Sequence, residues 1–180
     1  DTLEKLEEAA DHLYNVAAEG GKIIFLGTKR QAKDIIKLEA KRCGAMFVTE
    51  RWLGGTITNF DVIRKNIDKL LELIRKREEG EFEHYTKKER LLIDREIEKL
   101  NDSVGGIVGL KGKPDALFIV DAKREDTAVR EAKIAKIPVT AVVDTNTDPR
   151  PVDYPIPGND DAIRSIALIT KVIADAIESG

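Results

Sequence analysis

The chain has one cysteine, one methionine and two histidines among its 180 residues. A single cysteine excludes an internal disulfide and suits a reducing compartment. Cys43 lies in a helical pattern that ends at Gly44, so we expect a small packed residue rather than a reactive thiol. His12 and His84 lie in separate predicted elements, so the two histidines cannot form one metal or catalytic constellation. We therefore expect no enzymatic activity, no cofactor and no metal.

Long apolar runs are also missing. No run approaches the length that crosses a membrane, and no signal-peptide pattern is present, so we expect a soluble intracellular protein without a membrane partner. Aromatic residues make up only 5% of the sequence, which leaves few side chains to stack on bases. The chain starts at Asp1 and its only methionine is Met46, so we expect a further segment to precede it.

Charge is abundant. Charged residues make up 35% of the chain and hydrophobic residues 42%, which is enough apolar content for one core. Lysine and arginine number 30 against 33 acidic residues, a net charge of −3. A nucleic-acid binder with this balance must cluster its cations on one face, because its overall field does not attract phosphate.

Short apolar runs alternate with helical patterns along most of the chain. Four runs are too short and too apolar for surface helices, and we predict that each forms a buried strand. They are KIIFLG at 22–27, AMFVT at 45–49, ALFIVD at 116–121 and VTAVVD at 139–144. Right-handed crossovers between such strands build a parallel sheet with helices on both faces. The sequence therefore predicts an α/β fold with a doubly wound parallel sheet.

Helical spacing predicts helices between these strands and at both ends of the chain. Leu38, Ile134 and Ile163 are expected to face inward on three of them. Prolines in the stretch 148–158 predict an extended, turn-rich path without helix. Side chains that could cap helix starts are Thr28, Thr56, Thr58, Asn159, Asp160 and Asp161.

Residues 61–104 depart from this alternation. Two apolar series share the spacing 4, 3, 4 and are joined by a polar turn, which predicts an antiparallel helical coiled-coil hairpin. The series are Ile63, Ile67, Leu70 and Ile74, then Ile93, Ile97, Leu100 and Val104. Thr86 and Glu89 form a predicted capping box for the second arm. We expect 61–104 to protrude from an α/β body formed by 1–60 and 105–180.

The carboxyl ends of the strands are candidate sites, because ligands of open parallel sheets bind there. The turn Gly27-Thr28-Lys29 could cradle a phosphate, but it lacks the glycines of a Walker A loop, which favours a turn glycine followed by a helix-capping threonine. Asp121 and Asp144 could hold a metal or could be ordinary turn residues. Cations near these ends could contact phosphates or form a solvated charged face. They are Lys29, Arg30, Lys33, Arg51, Lys111, Lys113, Lys123 and Arg124.

Four segments, in this order along the chain, resemble the bacterial-type small-subunit ribosomal protein S2 family. They are FLGTKRQA at 25–32, RWLGGTITNF at 51–60, LFIVDAKREDTAVREAKIAKIPV at 117–139 and VDTNTDPRPVDYPIPGNDDAIRSI at 143–166. The likeness runs through essentially the whole chain. One departure is Ala122, where the family more often has proline.

The resemblance implies a flavodoxin-like α/β domain with a protruding coiled coil, placed on the small ribosomal subunit in the cytoplasm. It also implies binding to small-subunit ribosomal RNA and to neighbouring ribosomal proteins, with support for docking of ribosomal protein S1. Two alternatives stay open from the residues themselves. One is a flavodoxin-like enzyme or sensor that binds a phosphorylated small molecule, and the other is a protein-only adaptor that acts through its coiled coil.

The segment 51–60 is predicted to join the second strand to the hairpin. Gly54 and Gly55 allow a sharp turn, while Trp52 and Phe60 are expected to pack the base of the hairpin against the body. Arg51 is the one residue of this segment that we assign to RNA.

Overall fold

Five parallel strands form the centre of the molecule. The computed structural model describes residues 2–180, and within it the strand order is β2-β1-β3-β4-β5. The strands are β1 Ile23–Leu26, β2 Met46–Val48, β3 Ala116–Val120, β4 Val139–Val143 and β5 Tyr154–Pro157. This order is that of flavodoxin-like doubly wound sheets, which change winding direction between β1 and β3. The predicted α/β fold is confirmed.

Six α-helices within residues 2–180 cover both faces of the sheet. They are α1 Thr2–Ala18, α2 Lys33–Cys43, α3 Phe60–Glu78, α4 Lys87–Val104, α5 Asp126–Ile134 and α6 Ile163–Ser179, with a 3₁₀ turn at Gly105–Ile107. Helices α1, α2 and α6 pack with one face, and α3, α4 and α5 contribute to the core on the other. Strand residues alternate between the two cores, so the sheet is buried on both sides. No helix within residues 2–180 is long and apolar enough to cross a membrane.

The strand β5 was not predicted from the sequence. Its segment contains Pro155 and Pro157, which cannot donate to a ladder and therefore argue against a strand. In the structure it lies at the edge of the sheet, pairing only with β4 through positions such as Ala141 and Pro155. An edge strand tolerates missing donors on its open side. The extended path was predicted correctly, but its place in the sheet was missed.

Three apolar side chains expected to face inward are exposed instead. Leu38 is 67% exposed, Ile134 is 75% exposed and Ile163 is 60% exposed. The buried positions of α2 are Ile36, Glu39 and Ala40, and Leu38 lies outside this stripe. A helix that packs through one stripe leaves its apolar positions outside that stripe in water.

The predicted side-chain caps of three helices are absent. The residues before α2, α3 and α6 are Ala32, Asn59 and Ala162, and none of them caps its helix through a side chain. The hydroxyl of Thr28 instead donates to Glu125, and the turn at 29–32 delays the start of α2. The other predicted caps bind other groups: Thr56 binds Leu53, Thr58 binds Glu131, Asp160 and Asp161 bind Lys29, and Asn159 accepts from the backbone nitrogen of Asp161 in the turn before α6.

Helices α3 and α4 form an antiparallel pair. The ion pairs Lys69–Glu96, at 3.0 Å, and Arg77–Asp94, at 3.3 Å, join the two helices across the seam. The predicted capping box at the start of α4 is present. The buried positions are Ile63, Ile67 and Leu70 on α3, and Ile97, Leu100 and Val104 on α4. These side chains continue the apolar core on one face of the sheet.

Candidate functional site

The turns that follow β1, β2, β3 and β4 meet at the carboxyl ends of the strands, because parallel strands end on the same side of the sheet. This strand-end edge contains 27–30 after β1, 49–51 after β2, 121–125 after β3 and Asp144 after β4. It therefore brings together most of the cations predicted from the sequence. The exposed cations among them are Arg30, Arg51, Lys123 and Arg124.

Arg51 and Arg124 line the same groove. This groove has a volume of about 300 Å³ and lies where the sheet changes winding direction, beside the first turn of α5. The Nε of Arg124 donates to the hydroxyl of Thr28 at 2.9 Å, which holds the guanidinium at the rim. The lining residues are Thr28, Glu50, Arg51, Trp52, Arg124, Glu125, Thr127 and Ala128. The groove thus combines two guanidinium groups with the positive end of a helix.

Glu125 is the buried acid at the base of this groove. Its Oε2 accepts two hydrogen bonds from Thr28, from the backbone nitrogen at 3.1 Å and from the hydroxyl at 2.7 Å. Burial raises the pKa of the Glu125 carboxyl, although the hydrogen bonds from Thr28 oppose the rise. The carboxyl therefore ties the turn after β1 to the start of α5.

Lys29 does not face outward. Its ammonium lies 2.8 Å from an oxygen of Asp121, 2.8 Å from an oxygen of Asp161 and 2.8 Å from the carbonyl of Asp160, and the residue is only 8% exposed. Burial opposes the charged form, but these acidic partners outweigh it and raise the pKa of Lys29 above its ordinary value. An ammonium has three donors, and all three are occupied. Lys29 cross-links three turns, and no donor remains for a phosphate.

Three acidic residues beside Lys29 could in principle hold a cation. Carboxylate oxygens of Asp144, Asp160 and Asp161 lie within 4.8 Å of one another. The ammonium of Lys29 already contacts two of these residues. This positive charge supplies the neutralisation that a metal ion would otherwise provide.

The remaining predicted cations lie at opposite ends of the strands, one at the strand-end edge and two at the edge where the strands begin. Lys33 lies at the strand-end edge, where its ammonium is 3.1 Å from Glu50. Lys111 and Lys113 precede β3 and therefore lie at the opposite edge, with Lys113 donating to the carbonyl of Ala135 just before β4. A strand of this length separates the two edges by roughly 15 Å. The structure does not bring Lys111 and Lys113 together with Arg51 and Arg124.

The residue that the sequence interpretation missed is Glu131 on α5. It is only 6% exposed, and both of its carboxylate oxygens accept hydrogen bonds from the segment 52–58. An acidic residue placed between Ala128 and Ala132 in the apolar stripe was the available signal, since a buried acid must be paired. Trp52 is 8% exposed, while Leu53 and Phe60 are half-buried and pack against the same core.

The backbone of this segment turns at Gly55, whose φ of +94° lies in the left-handed region that favours glycine. Gly54, the other predicted joint glycine, is exposed, and a Cβ there would meet nothing within 4 Å. The turn is thus shaped by one glycine and by the carboxylate of Glu131.

The strand order and the helices on both faces define a doubly wound α/β protein of flavodoxin-like topology. A comparison with models of protein families identifies the family. The family model of ribosomal protein S2 matches residues 1–180. The chain belongs to the ribosomal protein S2 family. The resemblance found in the four sequence segments is confirmed. A member of this family is a structural constituent of the small ribosomal subunit, the ribonucleoprotein that takes part in translation, rather than an enzyme.

Proposed function

We propose that this chain binds small-subunit ribosomal RNA through its strand-end edge. The observation that carries the proposal is that Arg51 and Arg124 line one groove at the first turn of α5. Guanidinium groups pair with phosphate oxygens in a fork geometry, and the positive end of a helix favours the same anion. Arg30 and Lys123 are exposed at the same edge and extend the positive surface.

Most acids of this edge already have partners within the protein. Asp121, Asp160 and Asp161 are turned towards Lys29, Glu50 of the groove lies 3.1 Å from the ammonium of Lys33, and Glu125 accepts both of its hydrogen bonds from Thr28. The cations that would meet RNA are therefore less compensated than the net charge of −3 suggests. Because the chain is only 5% aromatic, we expect recognition by the shape and backbone of folded RNA rather than by base stacking.

The helix pair α3–α4 has the second role in this proposal. We assign 61–104 to a coiled-coil protrusion that braces RNA or neighbouring ribosomal proteins, and 1–60 with 105–180 to the body. Leu71, Leu91 and Leu92 are about half exposed on the pair and are available to a partner surface. Support for docking of ribosomal protein S1, on ribosomes of the cytoplasm, completes the proposed function.

The test compares matched double variants at the two edges of the sheet. Binding of the purified protein to small-subunit ribosomal RNA is measured over a range of salt concentrations. Arg51→Gln with Arg124→Gln should weaken binding and reduce the slope of log affinity against log salt by about 2, since each phosphate contact contributes about 0.9. Lys111→Gln with Lys113→Gln removes the same charge from the opposite edge and should leave the slope nearly unchanged.

Two results would contradict this proposal. Binding that does not weaken as salt rises would exclude phosphate contacts as its source. Equal losses in the two double variants would show that total charge matters and that the groove does not.

A phosphorylated small molecule is the second candidate ligand, because the groove lies where α/β sheets of this topology bind such ligands. A nucleoside phosphate that binds there should raise the melting temperature of the wild-type protein and not that of Arg51→Gln with Arg124→Gln. A melting temperature unchanged by a panel of nucleoside mono- and diphosphates at millimolar concentration would remove this alternative.

A further inference from the structure

Five hydrogen-bond donors of one short segment converge on the carboxylate of Glu131. Oε2 accepts from the indole nitrogen of Trp52 at 3.1 Å and from the backbone nitrogen of Gly55 at 2.9 Å. Oε1 accepts from the backbone nitrogens of Ile57 at 3.0 Å and Thr58 at 3.1 Å, and from the Thr58 hydroxyl at 3.1 Å. The segment has no helix or strand of its own, and Glu131 is the side chain outside it that accepts these five hydrogen bonds.

Only an ionised carboxylate fits this set of partners. Both carboxylate oxygens accept hydrogen bonds. The NH₂ group of a glutamine is itself a donor, and it would face two donors in one orientation of the amide and three in the other. Burial opposes the ionised form, but hydrogen bonds from Gly55, Trp52, Thr58 and Ile57 outweigh it and hold the pKa of Glu131 below its ordinary value.

The position of Glu131 connects this segment to the rigid part of the molecule. Ala128, Val129 and Ala132 on the same helix are buried against the sheet, so α5 cannot shift without disturbing the core. Arg51 immediately precedes the segment 52–58 that Glu131 binds, and α3 begins at Phe60, two residues beyond this segment. The hydrogen bonds of Glu131, which we call the Glu131 clamp, therefore hold the segment between Arg51 at the groove and the first turn of α3.

We infer that Glu131 is a positioning residue: its carboxylate sets the direction in which α3–α4 leaves the sheet and the place of Arg51 at the groove. The part that concerns the helix pair stands on the contacts alone, and the part that concerns Arg51 rests on the proposed RNA binding. The carboxyl end of α4 is also joined to the body, through the 3₁₀ turn. Loss of the Glu131 clamp should therefore widen the range of positions that the helix pair adopts without detaching the pair from the body.

The experiment measures the placement of the helix pair directly. Spin labels are attached at Lys88→Cys on α4 and Asp11→Cys on α1, two exposed positions, in a Cys43→Ala background. Double electron–electron resonance then gives the distance distribution between pair and body. Glu131→Gln should broaden and shift this distribution while the helical circular dichroism is retained. It should also weaken binding to small-subunit ribosomal RNA by about tenfold, the effect of losing contacts worth about 1.4 kcal/mol.

Two further variants separate positioning from general loss of stability. Glu39→Gln alters another buried glutamate, which is bonded to Arg42 on α2, and should lower stability without changing the distribution. Trp52→Phe keeps a ring but removes one of the five donors, and should broaden the distribution in the same direction by less. If Glu131→Gln does not fold, Trp52→Phe decides by the same measurement.

The inference is overturned if Glu131→Gln, or Trp52→Phe in its place, leaves the distances unchanged, or if Glu39→Gln broadens them equally. Failure of the wild-type protein to bind RNA would overturn the proposed function instead, and the distances would still decide the role of Glu131.

Discussion

Lys29 and Asp121 join the ends of two neighbouring strands, with the lysine ammonium 2.8 Å from a carboxylate oxygen. Lys29 follows β1 and Asp121 follows β3, so the pair bridges the point where the sheet changes winding direction. Asp121 adopts a φ of +72°, an uncommon conformation for a residue other than glycine, and its second oxygen accepts from the backbone nitrogen of Arg124. Asp121 thus binds the ammonium of Lys29 and also stabilises the turn that contains Arg124, one of the two arginines of the groove.

Substitution of Lys29 by methionine should therefore lower stability. Lys29→Met leaves Asp121 and Asp160 largely buried without their cation, and breaking such a pair costs about 3 kcal/mol or more. Urea unfolding measures this loss. Lys33→Met is the matched control, because its ammonium meets only Glu50 at an exposed site, and it should cost less than about 1 kcal/mol. Similar losses in both variants would show that the cross-link adds no stability.

The buried glutamates Glu125 and Glu131 should respond oppositely to pH. Hydrogen bonds overcome burial and lower the folded-state pKa of Glu131, so its contribution to stability is present above the unfolded value of about 4.3 and is lost as pH falls through the folded pKa. Burial raises the folded-state pKa of Glu125, so its contribution is full below that unfolded value and declines as pH rises through the folded pKa.

Isosteric amides test this contrast. Glu125→Gln keeps an acceptor for both donors of Thr28 and removes a charge that burial disfavours, so at pH 7 it should be neutral or stabilising. Glu131→Gln should be strongly destabilising at pH 7, and the difference from wild type should shrink below about pH 4, where the unfolded carboxyl is protonated. Unfolding free energies of the three proteins from pH 3 to pH 8 give the answer. Parallel curves for the two variants would contradict the assignment.

The fold could be predicted from the sequence because its signals are local. Four of the five strands are apolar runs bounded by turns, and helical spacing marks the segments between them. The fifth strand could not be predicted, because Pro155 and Pro157 argue against a strand and only the edge position permits them.

The site was less predictable, because its arrangement depends on partners distant in the chain. Lys29 is a candidate phosphate ligand by sequence position, but Asp121, Asp160 and Asp161 occupy its donors. Glu131 finds its partners at 52–58, and no spacing within α5 reveals them. Arg51 and Arg124 could be placed at the same edge, since parallel strands end together.

Gly106 offers a test of how the 3₁₀ turn is fitted to the sheet. A Cβ built at this position would lie 2.1 Å from the carbonyl oxygen of Phe47 on the edge strand β2, and a backbone atom cannot move aside cheaply. Gly106→Ala should therefore destabilise the protein by about 1 to 3 kcal/mol, the usual range for overpacking. Gly109→Ala is the control, because a Cβ there meets nothing within 4 Å. Thermal unfolding that does not distinguish the two variants would mean that the turn can separate from β2 at little cost.

Trp52 distinguishes a packed joint from an RNA-stacking residue. Its ring is 8% exposed and lies in the same core cluster as Ile57 and Ile63, so Trp52→Ala should cost about 3 to 5 kcal/mol through the cavity it leaves. Trp52→Phe refills most of that space and loses the hydrogen bond to Glu131, so it should cost about 1 to 2 kcal/mol. Chemical unfolding and RNA binding are measured on the same samples. If Trp52→Ala kept the stability of the wild type and lost only RNA affinity, the ring would act at the RNA surface and the packed joint would be excluded.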